Sequence, residues 1–222
     1  MKIVVLHISL VFILTACASS TPQTPSQTPQ VPSQTPIAAT PKPFPTPLPE
    51  IWIGDGGLIS GNPCLAPCFN GVRIGETMID QVIPILDDNR IYPCIQDTST
   101  SVFCSNKILV EVNSSSYLVV AIGYYPNVKI SIGEIILKYG EPNIIHVVPT
   151  GIPEGPTTVI LLLFDELGMR IRLPTIDGRE YKLSASSKVE LVNYFDEVLY
   201  QEMRQNLFSQ PWNGYGAYYP KE

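Results

Sequence analysis

The sequence predicts an α+β fold in which two tandem units, each of short helices packed on an antiparallel sheet, follow a disordered proline-rich tether. Three observations lead to this prediction. Ten of the 22 prolines lie between Pro22 and Pro49, whereas the chain from Ile51 onward has a globular composition. Helix-start patterns occur twice, and β-rich segments follow each of them. The sequence therefore predicts an internal repeat, in which each copy has a helix followed by strands.

The first seventeen residues have the pattern of an export signal. Ile3 to Leu14 is a mainly apolar stretch, too short to span a hydrocarbon core of about 30 Å but suited to the centre of a signal peptide. It leads into Leu14-Thr15-Ala16-Cys17, which resembles the bacterial lipobox. That resemblance implies cleavage before Cys17 and attachment of fatty acids such as palmitate to its sulfur. An ordinary secretory signal and an uncleaved signal anchor are the alternatives.

The resemblance also implies a location outside the cytoplasm. Ala18 follows the cysteine where an aspartate would favour the inner membrane, so the expected site is the outer membrane of a two-membrane bacterium. In a one-membrane bacterium it is the outer face of the plasma membrane. Two or more acyl chains give stable anchoring, because each buried CH₂ contributes about 0.8 kcal/mol.

The residues after Cys17 form a tether of low complexity. From Ser19 to Pro49 the sequence repeats Thr-Pro with Gln and Ser, and its one charged residue is Lys42. Such a segment buries too little apolar area to offset the entropy of ordering it. The predicted organisation is a signal peptide in 1–16, the lipidated cysteine and disordered linker in 17–50, a helix-plus-hairpin unit in 51–126, and a helix-plus-meander unit with an aromatic tail in 127–222.

In the first unit, Thr77 is expected to cap a helix, with Asp80 three residues later. Pro84 lies inside this helix and is expected to kink or shorten it. Residues 107–113 and 117–124 flank a run of three serines and predict a β-hairpin.

In the second unit, Ser131 and Glu134 form a capping box, and Gly140 suits the backbone position that ends a helix. Asp196 is expected to cap a short third helix. The predicted strands between these helices are 144–148, 157–164, 169–173 and one or two within 181–194.

The stretch Ser131-Ile-Gly-Glu-Ile-Ile-Leu-Lys-Tyr-Gly-Glu-Pro142, followed by a strand, resembles the motif of the small SmpA/BamE-type lipoproteins. Tandem copies of that unit resemble the β-lactamase-inhibitor-protein fold. The run from Cys64 to Thr77 also resembles a segment of uncharacterised bacterial lipoproteins. These resemblances imply a protein-binding or envelope-assembly role and carry no catalytic residues.

Four cysteines remain if Cys17 carries lipid. An even number outside the cytoplasm favours two disulfides, and of three connectivities the local one is preferred. A zinc site is the alternative, although the spacings match no common zinc motif. The two expected pairs are Cys64 with Cys68 and Cys94 with Cys104.

The charge and motifs favour binding over catalysis. A net charge of −6 without a basic cluster argues against nucleic-acid binding. No cofactor fingerprint or metal motif is present in the sequence, and no catalytic constellation is predicted. His146 is the one histidine beyond the signal region and is expected to be either solvent-facing or a hydrogen-bonded structural residue. The acidic pairs Asp87/Asp88 and Asp165/Glu166 leave a carboxylate-based hydrolase as an alternative.

The carboxyl terminus is rich in aromatic residues. Rings spaced by glycine suit packing across a sheet, and they also suit stacking on a sugar or on a partner protein. The residues of this candidate binding surface are Trp212, Tyr215, Tyr218 and Tyr219. The sequence thus predicts a membrane-anchored binding module, with an envelope protein or a glycan as its expected partner.

Overall fold

The described part of the protein begins at Ile53. The structure is a computed structural model that describes residues 53–91, 93–152, 155–205 and 208–221. They all fall within one compact unit, residues 47–222. The predicted signal peptide, Cys17 and the linker to residue 50 lie outside the described residues and stay predictions. In the described ranges, no helix is both long enough and apolar enough to cross a membrane.

Antiparallel strands dominate the described part of the chain. In chain order they are β1 (Cys68–Phe69), β2 (Val72–Arg73), β3 (Cys94–Thr98), β4 (Ser101–Cys104), β5 (Ile108–Val112), β6 (Val119–Tyr124), β7 (Ile144–Ile152), β8 (Gly155–Phe164), β9 (Met169–Arg172), β10 (Ile176–Asp177), β11 (Tyr181–Leu183), β12 (Leu191–Phe195), β13 (Ser209–Pro211) and β14 (Gly216–Tyr218). Three helices accompany them: α1 (Ile79–Asp88), α2 (Ile132–Tyr139) and α3 (Glu197–Arg204).

Ten of these strands form a single sheet. Its order is β13-β7-β8-β9-β12-β6-β5-β4-β3, and β10 pairs with β8 beside this path. The pairs β1-β2 and β11-β14 form two small separate ladders. Strands from both halves of the chain therefore share one hydrogen-bonded ladder.

The predicted fold class is wrong, because the two halves do not form tandem helix-plus-sheet units. Strand β12 pairs with β6 of the first half and with β9 of the second, joining them into one ten-stranded sheet. Tyr124 and Tyr194 explain why the halves merge. Both rings are fully buried on the same face, and their hydroxyl oxygens lie 3.4 Å apart. In a separate first unit, β6 would be an edge strand, and the backbone groups that pair with β12 would be unpaired.

The main core lies on one face of the large sheet, against α1 and α2. Val82 and Leu86 of α1 and Ile132 and Ile135 of α2 are fully buried in the same apolar cluster as the inward side chains of β4 to β9 and β12. This face uses alternate residues of each strand, as the period of a β-strand requires. The opposite face is called the outer face below.

Local sequence determines how α2 begins. The Ser131 hydroxyl accepts a hydrogen bond from Glu134 N, and the Glu134 carboxylate accepts one from Ser131 N, so the predicted capping box is confirmed. Gly133 N donates to Ala185 O at 2.8 Å. A Cβ at Gly133 would lie only 3.0 Å from that oxygen, which explains the glycine within this motif.

The start of α1 differs from the prediction by one residue. The N-cap is Met78, whose backbone N–H donates to the side chain of Gln81 at 3.1 Å. The Thr77 hydroxyl instead accepts from Arg73 N at 2.9 Å and fastens the preceding turn. Pro84 lies within α1 without ending it.

The prediction of disulfide bonds is confirmed, and the pairs are the two local ones. Cys64 is bonded to Cys68, at the start of β1. Cys94 is bonded to Cys104 at directly opposed positions of β3 and β4. The second disulfide therefore fastens the terminal strand of the sheet to its neighbour.

Candidate functional site

One row of directly paired residues crosses the outer face of the sheet. Directly opposed residues of antiparallel strands point to the same side of a sheet. From the β3 edge inward, the row consists of Ile95, Phe103, Leu109, Gly123, Asn193 and Arg170. Its first three members are apolar, and Ile95 is 62% exposed. This row is therefore apolar and open to solvent near β3.

A groove of about 310 Å³ lies over the middle of this row. Gly123 lines it, and the apolar side chains around it include Phe103, Leu109 and Leu191. Tyr125 and Lys107 also line it. Because glycine has no side chain, the Asn193 amide can lie against Gly123 at one side of the groove. This volume lies at the lower end of the range for small-ligand pockets.

Asn193 closes one side of the groove and has a defined orientation. Arg170 donates to Asn193 Oδ1 from Nη2 at 3.0 Å and from Nε at 3.4 Å. The amide nitrogen Nδ2 therefore turns toward Gly123, where it would lie 2.6 Å from a Cβ built on the glycine. The groove thus combines apolar walls with one oriented N–H donor.

The outer face beyond Asn193 is covered by α3. The Asp196 carboxylate caps this helix by accepting from Leu199 N at 2.9 Å, as predicted. Met203 Sδ accepts from Arg170 Nη1 at 3.2 Å. Tyr200 is fully buried and donates to Asp165, which also pairs with Arg204 at 2.8 Å. The helix thus shields the strands next to the groove and leaves the groove itself open.

His146 lies on the outer face of β7, opposite Ser209 of β13. It is only 2% exposed, and its Nε2 lies 3.0 Å from Ser209 Oγ. The Ser209 hydroxyl donates its proton to Arg204 O at 3.1 Å, so His146 Nε2–H is the donor to Ser209. Burial, followed by the charge of Arg170, lowers the pKa of His146 to about 4. The histidine is therefore neutral near pH 7 and donates a hydrogen bond to Ser209.

This environment predicts acid destabilisation through His146. A base that binds its proton more weakly in the folded state loses stability as pH falls from its unfolded pKa, about 6.5, toward its folded pKa. We expect the free energy of unfolding to fall by about 2 kcal/mol through this group between pH 7 and pH 4.5. Urea unfolding at both pH values measures the change. His146→Gln keeps an N–H donor and should lose about 2 kcal/mol less over the same interval. An equal loss of unfolding free energy in the two proteins would contradict the lowered pKa of His146.

The aromatic tail packs against the rest of the described chain. Tyr218 is buried in β14, which pairs with β11, and the ring of Trp212 stacks on it at 6.3 Å between centroids. Tyr215 meets the edge of Trp212 at 5.8 Å. Tyr215 and Tyr219 remain 46% and 54% exposed. A sugar-binding role therefore depends on the two exposed tyrosines.

The acidic pairs lie in two different settings. Asp87 and Asp88 are exposed at the end of α1. Asp165 and Glu166 lie in the 3-10 turn 165–167, where Asp165 already accepts from Tyr200 and Arg204. Within the described ranges, no three His, Cys, Asp or Glu side chains are grouped so as to hold a metal ion.

Comparison of the chain with protein-family models, with curated proteins and with solved structures finds no match. The resemblance to SmpA/BamE-type lipoproteins therefore stays a prediction. The candidate site rests on geometry alone.

Sequence reasoning missed the groove residues Gly123, Asn193 and Arg170. One signal was present: Leu109 is an apolar residue on the face of β5 opposite to Ile108 and Val110. An apolar residue on the second face of a strand indicates a second contact surface. The sequence alone does not place that surface beside Gly123.

Proposed function

We propose that this protein is a binding module that recognises another protein through its outer-face groove. The observation that carries the proposal is the open apolar row of Ile95, Phe103 and Leu109, which leads into the groove over Gly123. An exposed apolar surface with a polar margin is typical of an interaction site. Within the site, the Cys94–Cys104 disulfide joins β3 to β4, and Arg170 donates to Asn193.

We further propose that the module works outside the cytoplasm, anchored by lipid on Cys17. The lipobox-like sequence Leu14-Thr15-Ala16-Cys17 supports the anchor. The two disulfides support an oxidising compartment, since such bonds are rare in the bacterial cytosol. The proline-rich linker would hold the binding surface away from the membrane, at up to about 3.1 Å per residue in an extended conformation.

Leu109→Arg tests the groove as a protein-binding surface. Leu109 lines the groove, so the arginine can extend into solvent while it places a charge on the apolar wall. We expect at least about a fivefold lower yield of the partner, which equals about 1 kcal/mol of binding free energy. The measurement is quantitative mass spectrometry after crosslinking in native membranes and purification of the full chain.

Leu137→Arg is the matched control. Leu137 lies on α2, is 89% exposed and does not line the groove. It introduces the same charge at an exposed apolar position and should leave the yield unchanged. Equal capture by the native protein and the Leu109→Arg protein would rule out the groove as the interaction site.

A further inference from the structure

A half-buried cation, Arg170, contacts the residue that supplies the hydrogen-bond donor of the groove. Arg170 keeps its guanidinium charge, and it is held by the Asn193 amide oxygen, by Met203 Sδ and by the ring of Phe195, whose centroid lies 5.1 Å away. None of these partners is a carboxylate. Among the ion pairs formed between described residues, none includes Arg170.

The next residue of β9 on the same face is also an arginine, Arg172. Arg172 lies directly opposite Leu191, which lines the groove. Its Nε is 3.2 Å from Glu190, so that charge is largely balanced. Arg170 therefore supplies the unbalanced charge, and the Asn193 amide relays it: the oxygen faces the cation and Nδ2 faces the groove. A negative group beside Nδ2 complements this arrangement.

The groove is open toward β3 and closed beyond Asn193. Met203 of α3 contacts Arg170, the next position along the row. A polypeptide that enters from the β3 side therefore has to end or turn away at Asn193. In a polypeptide, an apolar side chain and a carboxylate belong to the same residue only at the carboxyl terminus.

We propose that the groove binds the carboxyl-terminal residue of the partner protein. An aromatic or large aliphatic side chain lies in the groove against Phe103 and Leu109, and the terminal carboxylate accepts a hydrogen bond from Asn193 Nδ2, which lies over Gly123. This inference rests on the proposed protein-binding function and names the part of the partner that is recognised.

The first test compares matched peptides by titration calorimetry with the full chain in detergent micelles. Two probes are Ala-Ala-Ala-Phe with a free carboxyl terminus and the same peptide with a terminal amide. The third is Ala-Phe-Ala-Ala, in which the phenylalanine lies two residues before the carboxyl terminus. We expect the free acid to bind at least about tenfold more tightly than the other two. Equal affinities for acid and amide, or for terminal and internal phenylalanine, would overturn the proposal.

Asn193→Asp is the decisive variant. A carboxylate of the same shape still accepts from Arg170, so the fold is retained, but the donor to the groove is replaced by a negative charge. We expect the affinity for the free acid to fall at least about tenfold, while the affinity of the amide stays within about twofold of its native value. An unchanged melting temperature verifies the fold. Unchanged binding of the free acid by this variant contradicts the assigned role of Asn193.

The two proposals fail in different ways. If Leu109→Arg prevents partner capture but the free acid and the amide bind alike, the groove binds protein and the carboxylate inference is wrong. If the free acid binds as expected but capture is the same with Leu109→Arg, the groove recognises carboxylates and the protein-binding function is wrong. Failure of all probes to bind at millimolar concentration also overturns the inference.

Discussion

Replacement of Cys17 by alanine is expected to abolish incorporation of fatty acid into the protein and to release it from the membrane. The sulfur is the attachment atom that the Leu14-Thr15-Ala16-Cys17 pattern implies. Without acyl chains, the apolar stretch that ends at Leu14 is too short to span about 30 Å of hydrocarbon. Labelled palmitate in the full chain, followed by separation of membrane and soluble fractions, measures both effects.

Ser20→Ala is the control for this substitution. Ser20 lies just beyond the four-residue pattern, so its replacement should leave labelling and membrane retention unchanged. Palmitate label in the Cys17→Ala protein would show that lipid is attached elsewhere. Full retention of that protein in the membrane would contradict the lipid anchor.

Gly56→Ala is expected to destabilise the fold by about 3 kcal/mol. Gly56 has φ of +65°, which costs a residue with a side chain about 1 kcal/mol or more. In addition, the new Cβ would lie 2.7 Å from the ring of Phe69 and 2.8 Å from that of Tyr124. Both rings are fully buried with centroids 4.3 Å apart, so neither can move aside, and such overpacking costs about 1–3 kcal/mol.

Gly75→Ala separates the cost of the backbone conformation from the cost of overpacking. Gly75 has φ of +73°, but a Cβ there would meet nothing within 4 Å. Its replacement should cost only the backbone contribution, about 1 kcal/mol. Urea unfolding followed by circular dichroism compares the two variants. If Gly56→Ala cost no more than Gly75→Ala, the packing of Phe69 and Tyr124 around residue 56 would be refuted.

Elements specified by neighbouring residues were predictable. The Ser131–Glu134 capping box and the Asp196 cap lie where expected, because a cap requires only a side chain and the next three backbone N–H groups. The two disulfides join cysteines close in sequence. The hairpin of β5 and β6 also follows the predicted segments.

Elements that depend on distant partners were not predictable. The sequence shows no sign that β12 inserts between β9 and β6, and this insertion overturned the tandem fold. Gly123 is one of 15 glycines in the chain, and no local pattern marks it as part of a groove. Asn193 acquires its orientation from Arg170, which is 23 positions away.

By itself, the amino-acid sequence predicted an export signal. It also determined the composition of the linker, the starts of α2 and α3, and the choice of local disulfides. These features follow from contacts among neighbouring residues or from composition. Only the tertiary structure showed that the chain forms one large sheet in place of the two predicted sheets. It also showed that the apolar row ends at Asn193, whose amide lies over Gly123. The physical reason is that strand order and register are set by burying whole faces together, and residues far apart in the chain share each face.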